Sequence, residues 1–257
     1  MPASYAHYRF GKLLLPQMSP DVRQCIQRFR RMYDMGLHGP DIFFYANPFL
    51  SNTAGKLGKT THTLTGREVL EQACTVAGTE AGRAYLYGLL AHYCLDKACH
   101  PFINRMADAG EAPHIPLEAE FDRYLMEADG IAEPHHHDFT RHIRLTRGEC
   151  MTVAAVYPTA AGGDVYRSVR FMGFALRFLA GKDRETRQKL LQKIKPSLCG
   201  FFLPDAPVTA WARMDSELLA RFNRALREYP ALLAQLEAFR KSGTPLGEDF
   251  AATFGGS

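Results

Sequence analysis

The sequence predicts an all-α protein. Apolar residues recur at intervals of three and four along most of its 257 residues, which is the spacing of one helix face, and alternating strand patterns are hard to find. Helix-start signals precede several of these apolar stripes. Hydrophobic residues make up 46% of the chain and charged residues 23%, which are ordinary globular values. We therefore expect a single multi-helix domain over residues 1–257.

The first predicted helix begins at Ser19 and Pro20, which suit the N-cap and the first helical position, and it ends before Gly36. A Gly-Pro turn then leads into an aromatic segment that carries Asp41 into a partly buried environment. Residues 46–64 are rich in Asn, Gly, Lys and Thr, and we predict a loop there with a histidine near its end.

The helices that follow carry most of the candidate functional residues. A capping box at Thr65 opens a helix that ends near residue 78. A longer helix is predicted over residues 79–100, because Pro101 disfavours its continuation, and another over residues 116–130.

The second half of the chain is predicted to be less regular at its start. Residues 131–163 contain a run of three histidines and a Gly-Gly pair, and we expect an irregular surface connection there. Helices are predicted over 164–179, 184–194 and 215–241, and the Gly-rich tail is expected to be loose at its end. The chain thus divides into a metal-binding half (1–130), this connection, and C-terminal helices (164–242).

Composition excludes several classes of protein. The net charge is +4 and no run concentrates it, so nucleic acid is not indicated as a partner. No stretch approaches the roughly 18 apolar residues of a membrane span, and no signal peptide is evident, so we expect a cytoplasmic protein. The six cysteines form no C-x-x-C pair, which argues against a zinc finger or a redox motif, and we expect reduced thiols.

Three polar residues on the long predicted helix carry the main functional signal. His92, Asp96 and His100 follow one another at intervals of four, and each step of four drifts only about 40° around a helix. All three therefore lie on one flank, which overlaps the apolar stripe and is carried toward the core. Buried His and Asp side chains need partners, and a metal ion satisfies several at once.

A second pair, His114 and Glu118, repeats the spacing of four, although Pro116 leaves open whether His114 stands in the helix or just ahead of it. Imidazole nitrogen and carboxylate oxygen suit Zn²⁺.

Each of these signals also has an ordinary structural interpretation. His92 and Asp96 could form a helical ion pair, His7 a surface or capping contact, and Asp41 a turn. His135–His137 and His142 are expected to be exposed.

In its first half the chain resembles the zinc-dependent phospholipase C family. Four stretches carry the resemblance: AHYRFG (6–11), GLHGPDIFFY (36–45), LYGLLAHYCLD with HPFI (86–96 and 100–103), and HIPLE with a following Asp122 (114–118). Each motif alone is weak, whereas the ordered set is specific. The resemblance implies an all-helical protein that binds up to three zinc ions and hydrolyses phosphodiesters, so that the substrate would be a phosphodiester or a phospholipid.

The resemblance also implies a ligand set. One zinc would be held by Asp41, His62, His92 and Asp96, with His38 as an alternative to His62. A second zinc would be held by His100, His114 and Glu118. A third would lie between His7 and Asp96, with Asp96 bridging two ions. Asp41 is then the candidate general base.

Three features depart from the family pattern. Secreted members use a processed N-terminal Trp at the third zinc, whereas the one Trp here is Trp211. The interval from Asp96 to His100 is shorter than in those members, and no calcium-binding β-sandwich follows. Two other functions stay open: a zinc-dependent nuclease or nucleotide phosphodiesterase, and a non-catalytic, metal-stabilised helical scaffold.

Overall fold

The structure is a computed structural model that describes residues 4–46 and 53–256. Most of these residues are helical and none lies in a named strand, which confirms the all-α prediction. The α-helices are α1 (Ser4–Leu14), α2 (Pro20–Arg28), α3 (Arg30–Gly36), α4 (Thr53–Thr63), α5 (Gly66–Ala73), α6 (Glu80–Asp108), α7 (His114–Ala128), α8 (Arg147–Ala154), α9 (Gly162–Leu179), α10 (Arg184–Ile194) and α11 (Ala212–Ser242). Two of the 3₁₀ helices between them matter below, Gly39–Tyr45 and Pro196–Phe201.

Helix α6 lies at the centre of the molecule. It packs against α1, α2, α3, α5, α7, α8 and α11. Its residues from Ala84 to Asp96 are all buried, as expected for a helix that is surrounded by other helices. The buried apolar residues form one core that extends from Tyr5 in α1 to Phe254 near the C-terminus. The candidate ligands on α6 therefore lie inside this core.

Glycines allow α3 and α6 to approach at the level of their backbones. A Cβ atom on Gly36 would lie 2.3 Å from the carbonyl oxygen of Tyr85, and one on Gly88 would lie 2.2 Å from that of Tyr33. Gly39 follows with a φ of +46°, and a Cβ there would lie 2.8 Å from the ring of His92. This packing places the 3₁₀ helix Gly39–Tyr45, with Asp41, beside α6.

Several predicted boundaries were wrong in the first half of the chain. The first predicted helix is divided at Phe29 into α2 and α3. The prediction of a loop over 46–64 fails because residues 53–63 form α4, which packs against the 3₁₀ helix Gly39–Tyr45; residues 47–52 lie outside the described part. Helix α6 continues past Pro101, since the following residues Phe102 and Ile103 are buried in the core.

The second half is more ordered than predicted. Within 131–163, expected to be irregular, Thr146 and Glu149 form a capping box that opens α8. The tail also differs from the prediction of a loose end, because Leu246, Phe250 and Phe254 are buried and pack into the core. Helix α10 has the predicted bounds.

The six cysteines are free, as expected from the absence of paired motifs. Among the described residues, no helix combines the length and the apolar character that crossing a bilayer requires.

The α3–α6 contact yields a stability prediction. Gly88→Ala should lower the free energy of unfolding by about 3 kcal/mol, because the added methyl group meets a backbone carbonyl that cannot move alone. Gly148→Ala is the matched control: its Cβ meets no atom within 4 Å, and its stability should stay within about 1 kcal/mol of the parent protein. Urea denaturation measures both. Equal effects in the two variants would show that this contact is not tight.

Candidate metal centre

The eight predicted ligands converge on one buried region from five elements. They are His7 on α1, Asp41 on the 3₁₀ helix Gly39–Tyr45, His62 on α4, His92, Asp96 and His100 on α6, and His114 and Glu118 on α7. Close contacts connect them into one network, within which three sets of three residues have ligand atoms that all lie within 4.8 Å of one another. The i, i+4 spacing on α6 therefore brings its three polar side chains to the same place.

The first part of the network surrounds His92 and comprises two of the three sets. His92 Nε2 lies 3.0 Å from Asp96 Oδ2, and His7 Nε2 lies 3.1 Å from Asp96 Oδ1. His62 Nε2 lies 3.0 Å from Asp41 Oδ1. The two sets are His62, His92 and Asp96, and His7, Asp41 and His92.

The second part lies one helical turn further along α6. His100 Nε2 and His114 Nε2 lie 3.3 and 3.5 Å from Glu118 Oε1, and these three residues form the third set. Helix α7 begins at His114, so this residue stands in the first turn together with Pro116. Proline is tolerated there because first-turn N–H groups have no intrahelical acceptor. Asp96 Oδ1, 3.7 Å from His100 Nε2, lies between the two parts.

Backbone carbonyl groups fix the orientation of three imidazole rings. The Nδ1 atoms of His62, His92 and His100 lie 2.7, 3.0 and 2.9 Å from the carbonyl oxygens of Gly58, Leu37 and Phe254. A carbonyl oxygen only accepts, so Nδ1 carries the proton in each ring and Nε2 faces the carboxylates. Metal-binding histidines are typically oriented in this way.

In this orientation a neutral ring directs the lone pair of Nε2 at a carboxylate oxygen, which is also a hydrogen-bond acceptor. A neutral His62 presents a lone pair to Asp41 at 3.0 Å, an arrangement that needs either a second proton on the ring or a cation between the two. Seven buried atoms of the network have no hydrogen-bond partner in the described part of the chain. They are His7 Nδ1, Asp41 Oδ1, His62 Nε2, His92 Nε2, Asp96 Oδ2, His114 Nε2 and Glu118 Oε2. Leaving such atoms unsatisfied is costly.

Three buried carboxylates meet here without a basic partner. Among the described residues, no lysine or arginine pairs with Asp41, Asp96 or Glu118. Burial opposes their ionisation, but nearby positive charge, including that of the imidazoles, outweighs it and lowers the pKa of all three. Within the described residues, the compensating charge comes from imidazolium groups or from a bound cation. The oxygen and nitrogen donors fit zinc.

Asp122 supports the network without belonging to the predicted ligand set. Its two carboxylate oxygens accept hydrogen bonds from the backbone N–H groups of Tyr5 and Ala6, at 3.0 and 2.8 Å. These bonds hold the first turn of α1 and thereby place His7. The sequence does contain an indication of this role, because Asp122 follows Glu118 by four positions and therefore lies on the same side of α7.

His38, the alternative to His62, is directed elsewhere. Its Nε2 lies 2.8 Å from Nε2 of His142, on which the ring of Tyr8 stacks. His142 was expected to be exposed and is buried, because its partner lies 104 positions away in the chain and gives no local signal. In the neighbouring run, which was also expected to be exposed, His137 is exposed, whereas His135 and His136 are half-buried.

Comparison with protein families, with curated proteins and with solved structures finds no match to this chain.

Zinc binding at the second part should release protons. Burial lowers the pKa of His100, but Asp96 and Glu118 outweigh it and raise the pKa to about 10, so the metal-free ring is protonated at neutral pH. Zinc takes the neutral ring, and its affinity should therefore rise as the pH rises toward 10. Calorimetric titration with zinc in two buffers of different ionisation enthalpy counts the released protons. A pH-independent affinity would contradict this arrangement.

The ligand assignment also predicts metal stoichiometry. Glu118→Gln keeps the shape of the side chain and removes its charge, so the variant should bind one zinc ion fewer than the parent protein. Glu133→Gln is the control, because that side chain is 70% exposed and lies outside the network. Elemental analysis after dialysis measures both, and equal zinc contents would remove Glu118 from the ligand set.

Proposed function

We propose that the protein is a zinc-dependent phosphodiester hydrolase of the phospholipase C type. The observation that carries this proposal is the position of Asp96, which contacts His92 through Oδ2 and lies near His100 through Oδ1. A carboxylate shared in this way suits a centre of two or more neighbouring cations. Such centres are typical of enzymes that cleave phosphate esters.

If bound, zinc would offset the charge that develops on a phosphate in the transition state and would lower the pKa of a water molecule toward neutrality. The chain supplies the remaining functions. The ring orientations set by Gly58, Leu37 and Phe254 keep the Nε2 atoms directed at the centre without reorganisation. Packing around the fully buried His92 excludes bulk water from the inner side of the network.

Asp41 is the proposed general base. Burial opposes its ionisation, but nearby positive charge outweighs this and lowers the pKa, so the group is a carboxylate at neutral pH. A low pKa makes it a weak base, and the assignment therefore rests on its position in the network. Oδ1 lies 3.0 Å from His62 Nε2, and the 12% exposed His62 side chain places this carboxylate near the solvent-facing side of the network. Ile42 and Phe43, both fully buried, hold the backbone that carries it.

The network is open toward solvent at two of its members. The side chain of His114 is 31% exposed and that of His62 is 12% exposed, whereas His92 is completely covered. We infer that a substrate phosphate approaches from the side of His62 and His114. Phe44, whose ring centre lies 5.2 Å from that of His62, would flank the substituent next to the phosphate.

Replacing the proposed base tests the mechanism. Asp41→Asn should lower kcat by about 10² to 10⁴, the range that general base catalysis contributes, while zinc at the His100–His114–Glu118 set is retained. Asp108→Asn makes the same chemical change at an exposed position of α6 and should leave kcat unchanged. Hydrolysis of bis-nitrophenyl phosphate provides the assay. Full activity in Asp41→Asn would reject the assignment.

A substrate panel separates the three candidate functions. Zinc-loaded protein is assayed with a choline phospholipid, bis-nitrophenyl phosphate and single-stranded DNA. The proposal predicts hydrolysis of the first two and little cleavage of DNA. Preferential cleavage of DNA would identify a nuclease, and bound zinc without hydrolysis of any member would identify a metal-stabilised scaffold.

A further inference from the structure

An apolar site, separate from the metal centre, lies where α9 and α10 meet the 3₁₀ helices Gly39–Tyr45 and Pro196–Phe201. It is a pocket of about 170 Å³ whose walls consist almost entirely of apolar surface. Phe174 and Phe178 of α9, Leu191 of α10 and Phe201 form much of the lining, and Phe44 closes one side. A site of this composition takes an aliphatic or aromatic group.

The rim of the pocket is exposed to solvent. Phe171 and Phe174 are 43% and 58% exposed, and Leu190 and Ile194 on α10 are 53% and 62% exposed. Of the six large apolar side chains that the described chain exposes, four are therefore on these two helices. Single exposed apolar residues need no explanation, whereas a group of four beside an open apolar pocket indicates a contact surface.

The two helices and the residues next to them carry an excess of positive charge, which is spread among apolar residues and forms no contiguous run. Residues 162–195 contain nine lysine and arginine residues and three acidic residues, a net charge of +6, whereas the whole chain carries +4. Lys182, Lys189 and Lys193 make no ion pair with any described residue. On α10, Lys189 and Lys193 are separated by four positions, and so are their neighbours Leu190 and Ile194, so basic and apolar stripes run side by side.

Exposed apolar side chains beside lysines favour a lipid partner over a protein partner. Lysine is depleted in protein–protein interfaces, whereas lysines that flank exposed apolar side chains are typical of surfaces that contact anionic lipid headgroups and the adjoining acyl chains. We propose that the face formed by α9 and α10 docks on an anionic lipid surface. The exposed Phe, Leu and Ile side chains enter the acyl region, the lysines contact the headgroups, and the apolar pocket takes one acyl chain.

This docking does not depend on the proposed hydrolase activity. The pocket and the metal centre share a boundary at Phe44, which lines the pocket and lies beside His62. A docked molecule would therefore present the metal centre near the lipid surface. Binding itself uses side chains of α9 and α10, the turn between them and the apolar pocket, and it needs neither zinc nor turnover.

Vesicle co-sedimentation tests the proposal. The full chain is incubated with vesicles of phosphatidylcholine alone and with vesicles of equal parts phosphatidylcholine and phosphatidylserine, with and without a zinc chelator. We expect association with the anionic vesicles in both conditions and weak association with the neutral vesicles. Absence of association with the anionic vesicles would overturn the proposal, while leaving any phosphodiesterase activity unaffected.

Two variants locate the surface. Lys189→Glu with Lys193→Glu, and Phe171→Ser with Phe174→Ser, should each weaken association by roughly tenfold or more. Their controls are Arg213→Glu with Arg227→Glu, an equal charge change on exposed positions of α11, and Leu13→Ser, an exposed apolar residue of α1. The substituted side chains are exposed, and circular dichroism verifies the fold of each variant. Equal losses in the controls would overturn the location.

Self-association is the alternative to lipid docking: a second copy of the chain would then cover the α9–α10 face. Sedimentation velocity without lipid is expected to show the same mass for the parent protein and for the Phe171→Ser, Phe174→Ser variant. A dimer that this double substitution dissociates would show that the face is covered by self-association and would overturn lipid docking.

Discussion

Three carboxylates buried together without a lysine or an arginine among the described residues set the main physical constraint on this fold. Burial alone would raise the pKa of Asp41, Asp96 and Glu118, and carboxylates stay ionised in such a site only with positive charge around them. Protonated imidazoles can supply this charge, whereas neutral rings at His62 and His92 direct unprotonated Nε2 atoms at the same carboxylates. A divalent cation resolves both problems at once, which is why we favour it over an ordinary His–Asp network.

Much of the remaining structure holds this arrangement in place. Backbone carbonyl groups from three separate regions orient the rings: Leu37 after α3, Gly58 in α4, and Phe254 in the C-terminal tail. The close packing of α3 on α6 positions the first of these, and the buried tail supplies the last. The C-terminal segment is thus part of the centre, although every proposed ligand lies before residue 119. The ordered tail has a functional reason in this account, because it fixes the orientation of His100.

The sequence predicted the fold class and the convergence of the α6 side chains, because both follow from local spacing. His92, Asp96 and His100 meet on one flank of α6 since four residues are close to one helical turn. Features that depend on distant contacts were missed. The composition of α4 is that of a loop, and its helix is stabilised by packing on another element. The burial of His142 depends on His38, and the burial of Phe254 depends on the surface formed by α6. Local patterns carry no information about such partners.

The central claim is that these imidazoles and carboxylates share cations. The most direct measurement is an anomalous difference map from a crystal of zinc-loaded protein, recorded on both sides of the zinc absorption edge. We predict at least two peaks, each about 2.0–2.2 Å from histidine Nε2 and carboxylate oxygen atoms, one beside His92 and one beside His100, with Asp96 between them. Peaks confined to the partly exposed run His135–His137, or no peaks at all, would contradict the claim.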